Sequence, residues 1–256
     1  MRISLAQLNY KIGDFSGNYA KIENVITQHA KNTDLIVFTE LCLSGYYPMD
    51  LIESAPFISA QNACLAQLEQ LTQKHQISII IGFIDINQGK GKPFHNSLCL
   101  ISKGKRTFTY HKRLLPVYDI FDEARHFTPG KEAGIFQFEG LQFGFLICED
   151  GWVGDNKYLY DCDPVSELSK HNLDVIICIN GSPSNIGKQA LRCQHFTPIA
   201  QTCHAPLIFT NQVGGNDDIL YDGASFVLDA DGKPLGSLAQ FKEDFATLTL
   251  NKKTLE

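Results

Sequence analysis

FGFLICED, residues 143–150, begins with aromatic and branched apolar residues around one glycine and ends on a thiol followed by two carboxylates. Its front half has the length and residue types of a buried β-strand. A thiol at the end of such a strand is rigidly placed while facing the open space beyond the sheet. Similar runs recur on both sides. ISLAQL (3–8), DLIVFT (34–39), SIIIGF (78–83), SLCLI (97–101), TFTYH (107–111) and IFQF (135–138) precede it. VIICI (175–179), LIFT (207–210), ASFVLD (224–229) and ATLTL (246–250) follow it. Residues 16–31, 57–75, 164–171 and 187–203 have the apolar spacing of helices instead. Strands alternating with helices in the first and third quarters, with hairpin-like strands between, predict an α/β sandwich built on mixed sheets. No repeat, low-complexity linker or shift in composition divides the chain, so residues 1–256 are expected to form one domain. The polar NKKTLE at 251–256 reads as a frayed end or the beginning of a linker.

A hydrophobic content of 44% over 256 residues is enough for a substantial core. The net charge of -6 gives no electrostatic reason to expect nucleic acid or an anionic membrane as partner, and favours a small polar substrate. No stretch approaches a membrane span, and MRISLAQLNYKIGDF lacks the basic and apolar pattern of an export signal, so a cytoplasmic location is expected. The eight cysteines are scattered, several inside apolar runs where a thiol packs as a small hydrophobe. No CxxC pair or His–Cys cluster suggests a metal, and a disulfide framework would be unusual in a reducing compartment. Seven cysteines are therefore read as packing, and Cys148 is set apart by its surroundings.

Several strands run into polar residues: DLIVFT into Glu40, TFTYH into Lys112, FGFLI into Cys148, VIICI into Asn180-Gly181-Ser182, and LIFT into Asn211-Gln212. Taken singly, a strand-end glutamate is usually solvated, a lysine a surface charge, and a cysteine after FLI part of the core. Together they have a chemistry. A carboxylate can take the thiol proton and an ammonium can stabilise the thiolate. Attack on an amide carbon then builds an oxyanion, which Lys112 and the backbone N–H after Cys148 can receive. Glu40, once protonated, can return its proton to the departing amine and later activate water against the thioester. None of the eight histidines is needed.

These residues resemble the nitrilase superfamily, whose Glu-Lys-Cys triad sits on a four-layer α-β-β-α sandwich. VFTELCLSGYYPMDLI is similar to the glutamate motif, HKRLLPVYDIFDEARHFTPG to the lysine motif and its following loop, and FGFLICEDGW to the cysteine motif, all in family order. SGYYPMDLI, KRLLPVYDIFDEARHF, CEDGW, NGSPSNIGK followed by Arg192, and NQVGGNDDILYDGASFVLDADG resemble one branch in particular, the glutaminase domain of glutamine-dependent NAD synthetases. The resemblance implies that Glu40 is the base, Lys112 the oxyanion and thiolate stabiliser, and Cys148 the nucleophile, with Glu123 orienting Lys112. It implies that Tyr46, Tyr118, Glu149, Trp152, Ser182 and Arg192 line a pocket for L-glutamine. A guanidinium fork such as that of Arg192 suits a substrate carboxylate, and Glu149 would meet the α-ammonium group. In that family the released ammonia travels through a tunnel to a C-terminal ATP-dependent domain, which amidates nicotinic acid adenine dinucleotide. The resemblance implies no cofactor for the glutaminase step, ATP and magnesium only in the synthetase part, and a homo-oligomer.

The sequence departs from that pattern in three places. Thr39 replaces a usual proline, the wording of SPSNIG differs between Ser182 and Arg192, and no SGGxDS-type phosphate loop is present. Synthesis of NAD is therefore expected to need a synthetase domain or subunit outside this chain. Two other readings compete with this expectation: a stand-alone amidase of the superfamily acting on another ω-amide or carbamoyl compound, and an inactive module that docks on a synthetase partner.

Overall fold

The computed structural model describes residues 1–153, 160–251 and 254–255. The first strands are β1 (Arg2–Gln7), β2 (Leu35–Val37), β3 (Ser78–Ile86), β4 (Phe94–Ser102) and β5 (Lys105–His111). They are followed by β6 (Ile135–Phe138), β7 (Leu141–Ile147), β8 (Val175–Asn180), β9 (Leu207–Asn211), β10 (Val213–Asn216), β11 (Ile219–Asp222), β12 (Phe226–Leu228), β13 (Pro234–Ser237), β14 (Asp244–Asn251) and β15 (Thr254–Leu255). A seven-stranded sheet runs in the order β15-β14-β1-β2-β3-β4-β5 and a six-stranded sheet in the order β13-β12-β9-β8-β7-β6. β1, β2 and β3 are parallel, as are β7, β8 and β9, while the flanking pairs are antiparallel, so both sheets are mixed.

Period-two alternation explains how the layers stack. Leu35 and Val37 of β2 face the same core as Ile177 and Ile179 of β8, together with Ile80, Leu98, Phe145 and Ile208. That core lies between the sheets. Ile36 of β2 faces the other way, onto Ile22 and Ile26 of helix α1 (Phe15–His29) and Leu65 and Leu68 of helix α2 (Ala55–His75). Ile176 and Cys178 of β8 pack outward on Leu168 of α3 (Pro164–Leu168) and on Phe196, Ile199 and Ala200 of α4 (Lys188–Cys203). The result is helix on sheet on sheet on helix, the four-layer sandwich expected from the motifs.

Helix ends follow local chemistry. The Asp14 carboxylate accepts from the Gly17 amide and caps α1, and α2 stops where Gln76 turns left-handed. Three details differ from the sequence reading. Strand β2 is regular only over Leu35–Val37, while Phe38 and Thr39 keep single backbone hydrogen bonds to Ile80 and Gly82 of β3 before the chain turns at Glu40. The stretch 213–222 forms an antiparallel ribbon, β10 and β11, that the apolar pattern did not reveal. Near the end, Thr254 and Leu255 pair with Asn251 and Leu250 as a short strand where a frayed end or the beginning of a linker was expected, while Lys252, Lys253 and Glu256 lie outside the described residues. Among the described residues no helix is long and apolar enough to cross a membrane.

Candidate active site

Glu40, Lys112 and Cys148 arrive at one end of the sandwich from both sheets. Glu40 follows β2, Lys112 follows β5, and Cys148 follows β7, where the chain breaks into a single turn of 3-10 helix from Cys148 to Gly151. Gly82 of β3 lets the glutamate segment pass close by. A Cβ there would lie 2.4 Å from both the Thr39 carbonyl oxygen and the Leu41 amide nitrogen. Cys148 itself has φ +45, the left-handed conformation that L-residues adopt at a cost and that recurs at sharp nucleophile turns.

The Lys112 ammonium sits between two carboxylates, 2.7 Å from Glu40 Oε1 and 2.8 Å from Glu123 Oε1, and all three side chains are fully buried. Burial alone would push this ammonium down. Glu123 and Glu40 overrule it, so Lys112 is held charged, well above its ordinary value. Burial raises Glu123, with Lys112 opposing and Glu40 reinforcing. Tyr46 donates to Glu123 Oε1 at 2.7 Å, and Asn96 Nδ2 bridges Glu40 Oε1 at 2.8 Å and Glu123 Oε2 at 3.3 Å. The Gly181 amide donates to Glu40 Oε2 at 2.7 Å. Glu40 is therefore aimed from three sides.

Burial pushes the Cys148 thiol well above its ordinary range. Glu40 adds to the rise, Lys112 opposes it and Glu149 reinforces it, so the thiol lies in the field of the whole cluster. It is a protonated thiol beside a base and a fixed cation. Its reactivity depends on transferring the proton as attack occurs.

Asp150 holds the two strand ends together. Its Oδ1 accepts from the Arg113 and Leu114 amides at 2.9 Å each, and its Oδ2 from the Ile147 amide at 3.0 Å and the Tyr110 hydroxyl at 2.9 Å. One carboxylate thus ties the residues after Lys112 to the turn that carries Cys148. Burial pushes Asp150 up to about 6, against the pull of the Leu114 and Ile147 amides.

Beside the thiol, both oxygens of Glu149 accept at 2.7 Å, one from Tyr118 and one from Tyr160. Burial raises Glu149, and the Tyr160 and Tyr118 hydroxyls oppose the rise. Trp152 stacks on His195 at 4.2 Å, and the Lys188 ammonium lies 4.6 Å above the Trp152 ring. Burial, with Arg192 next, lowers Lys188, while Cys148 and Glu149 act in the opposite sense.

Two expected pocket residues, Tyr46 and Arg192, are buried among protein partners. Tyr46 is buried against Glu123 and supports the triad from behind. Arg192 is fully buried, with Nη1 2.7 Å from Asp222 Oδ1, Nη2 2.9 Å from the Ser182 and Pro183 carbonyls, and Nε 3.1 Å from Ser182 Oγ. Its fork is turned to protein acceptors, and the arginine acts as a strut under the Asn180-Gly181-Ser182 turn. Ser182 is further fixed by Asn211, which accepts from the Ser182 amide at 2.9 Å and donates to its carbonyl at 3.1 Å. Asn96, Asp150, Tyr160 and Lys188 were not singled out in the sequence. Asp150 carried a signal, since it closes the Cys-Glu-Asp strand end, whereas Asn96 lies inside a strand run with none.

A buried Glu-Lys-Cys cluster at the end of a four-layer sandwich defines a thiol-dependent amidohydrolase. The family model "Carbon-nitrogen hydrolase" matches residues 2–256, and the chain belongs to that family. Its relatives narrow the comparison. It is 35% identical over 258 residues to a glutamine-dependent NAD(+) synthetase of Synechocystis sp., and 33% identical over 253 residues to that of Thermotoga maritima. These alignments take in 96% and 98% of this chain but 46% and 42% of the relatives, so the chain spans less than half the length of the proteins it matches. The glutamine-dependent NAD+ synthetase of Acinetobacter baumannii superposes with a TM-score of 0.87 at 32% identity, over 96% of this chain and 45% of that one. An amidase of Nesterenkonia from the nitrilase superfamily shares the fold, with a TM-score of 0.81 at 18% identity over 96% of this chain and 89% of the other.

Proposed function

We propose that this chain is a one-domain glutaminase unit that releases ammonia from L-glutamine through a thioester on Cys148 and passes it to an NAD-forming synthetase domain or subunit. The observation that carries the reading is Lys112, fully buried and clamped at 2.7 and 2.8 Å between Glu40 and Glu123, beside a thiol on a left-handed turn. Glu40 accepts the thiol proton as sulfur attacks the amide carbon. The oxyanion that forms is met by the Lys112 ammonium and the amide nitrogen after Cys148. The C–N bond then breaks, and Glu40 returns the proton to the leaving nitrogen, giving ammonia and a glutamyl thioester. Water deprotonated by Glu40 adds to the thioester, and cleavage of the C–S bond gives glutamate and restores the thiol.

Selection of an amino-acid amide follows from the charges around the thiol. Glu149, steadied by Tyr118 and Tyr160, suits an α-ammonium group. Lys188 and the Ser182 hydroxyl, on the loop beneath which Arg192 is packed, suit the α-carboxylate, with Trp152 holding Lys188 from below. The relatives' names support glutamine as substrate and NAD synthesis as the destination of the ammonia. The glutaminase step needs no cofactor, and ATP with magnesium belongs to the synthetase part. A cytoplasmic homo-oligomer completes the reading.

The test is ammonia release from glutamine, asparagine and short ω-amides by the chain and by Cys148→Ala. Glutamine is expected to be preferred, with release abolished in the variant. Preference for another amide would favour the stand-alone amidase, and no turnover of any amide by folded protein would favour a docking module.

A further inference from the structure

We propose that Asp50, Glu53 and His126 form a binding site for a divalent transition-metal cation of the zinc type. The site joins the 3-10 turn Met49–Glu53 to the turn Glu123–Arg125 that presents Glu123. His126 Nε2 lies 3.1 Å from Asp50 Oδ1 and 3.3 Å from Glu53 Oε1, and the three ligand atoms all lie within 4.8 Å of one another. Two ligands bound to zinc at about 2.0–2.1 Å and a tetrahedral angle are separated by about 3.3 Å. The two histidine–carboxylate spacings match it, and the exposed carboxylates can close the third by side-chain rotation.

His126 differs from the two exposed carboxylates. It is 3% exposed, and despite the two nearby oxygens its Nε2 makes no hydrogen bond, because neither carboxylate lies where a ring N–H would point. Its other nitrogen is engaged: Nδ1 is 2.9 Å from the Tyr47 hydroxyl, which donates its own proton to the Asp122 carbonyl at 3.2 Å. With the proton so placed, the oxygen accepts from Nδ1–H and the neutral ring presents Nε2 as a lone pair; with the hydroxyl proton turned to Nδ1 instead, Nε2 carries the N–H. In the first tautomer the buried lone pair faces two carboxylates, a repulsion that a proton on Nε2 or a bound cation relieves. Fixing the distal nitrogen of a ligating histidine is also how metal sites set the ring's orientation. One imidazole and two carboxylates, with water completing the shell, suit zinc or manganese.

Arg125 is the competing cation, with Nε 2.9 Å from Asp50 Oδ1 and Nη2 3.3 Å from Oδ2. It is more than half exposed and can retreat to Oδ2, at a cost in metal affinity.

Calorimetric titration of the metal-free chain with zinc sulfate tests the site, with cobalt(II) absorption as a second readout of its nitrogen and oxygen ligands. One zinc per chain is expected. Affinity should fall at least about tenfold in His126→Gln and in Glu53→Gln, and rise about tenfold in Arg125→Gln as its competitor is removed. Glu53 is well exposed, so Glu53→Gln keeps the test decisive if the histidine variant fails to fold. The proposal is overturned if no zinc binds, if binding is unchanged in Glu53→Gln, or if the cobalt spectrum shows thiolate ligation. It is overturned equally if nitrogen NMR finds His126 doubly protonated at neutral pH and unaffected by zinc. None of these readouts depends on amide hydrolysis.

Discussion

Asp150 ties the turn that carries Cys148 to the residues that follow Lys112. As a carboxylate it accepts three backbone amides and the Tyr110 hydroxyl, fixing Cys148 relative to Lys112. With its ionisation pushed up to about 6, it is charged above that pH and neutral below it. A neutral carboxyl must carry a proton where an amide or hydroxyl now donates, so the clamp loosens on acidification. Activity on glutamine is therefore expected to fall as pH drops through about 6, and Asp150→Asn is expected to lower kcat and remove that acid limb. A pH–rate profile of the two proteins checks this, and an unchanged limb in the variant would assign it elsewhere. Glu40, Lys112 and Cys148 were legible in the sequence because each ends an apolar strand. Asn96 was not, since a polar residue inside FHNSLCLI gives no sign that it spans two carboxylates from different loops.

At the level of elements, the turn after β8 is supported from below by α4. Arg192 on that helix binds the Ser182 and Pro183 carbonyls and Asp222 on β11, while the same turn directs the Gly181 amide onto Glu40. The motif resemblance had given this arginine to a substrate carboxylate. Residue type and spacing do not show which protein acceptors such a fork also meets, and β11, which carries its partner Asp222, was itself hidden. A four-residue strand in VGGNDDILYD lacks the alternating apolar run that revealed the longer strands. Arg192→Lys keeps the charge but cannot reach all these acceptors. It is expected to cost about 2–3 kcal/mol of stability and to lower kcat. Thermal unfolding together with glutamine kinetics checks this, because a substrate-binding arginine would instead raise KM and leave the melting temperature unchanged.

Over the whole molecule, the layer order was readable because strand alternation and helix spacing each leave a periodic mark in the sequence. The register between sheets leaves none, yet it is what assembles the site. Glu40 and Lys112 come from the sheet containing β2 and β5, Cys148 and Gly181 from the one containing β7 and β8. The core of Val37, Leu98, Ile147 and Ile179 holds these two halves together. The proposed reaction runs through a thioester on Cys148, formed at this joint site. Rapid acid quench during turnover of glutamine, followed by intact-protein and peptide mass measurement, tests it most directly. One glutamyl group added to the chain, mapped to Cys148 and absent from Cys148→Ala, is the expected result. Ammonia release by Cys148→Ala at the unmodified protein's rate, with no adduct on the thiol, would contradict it.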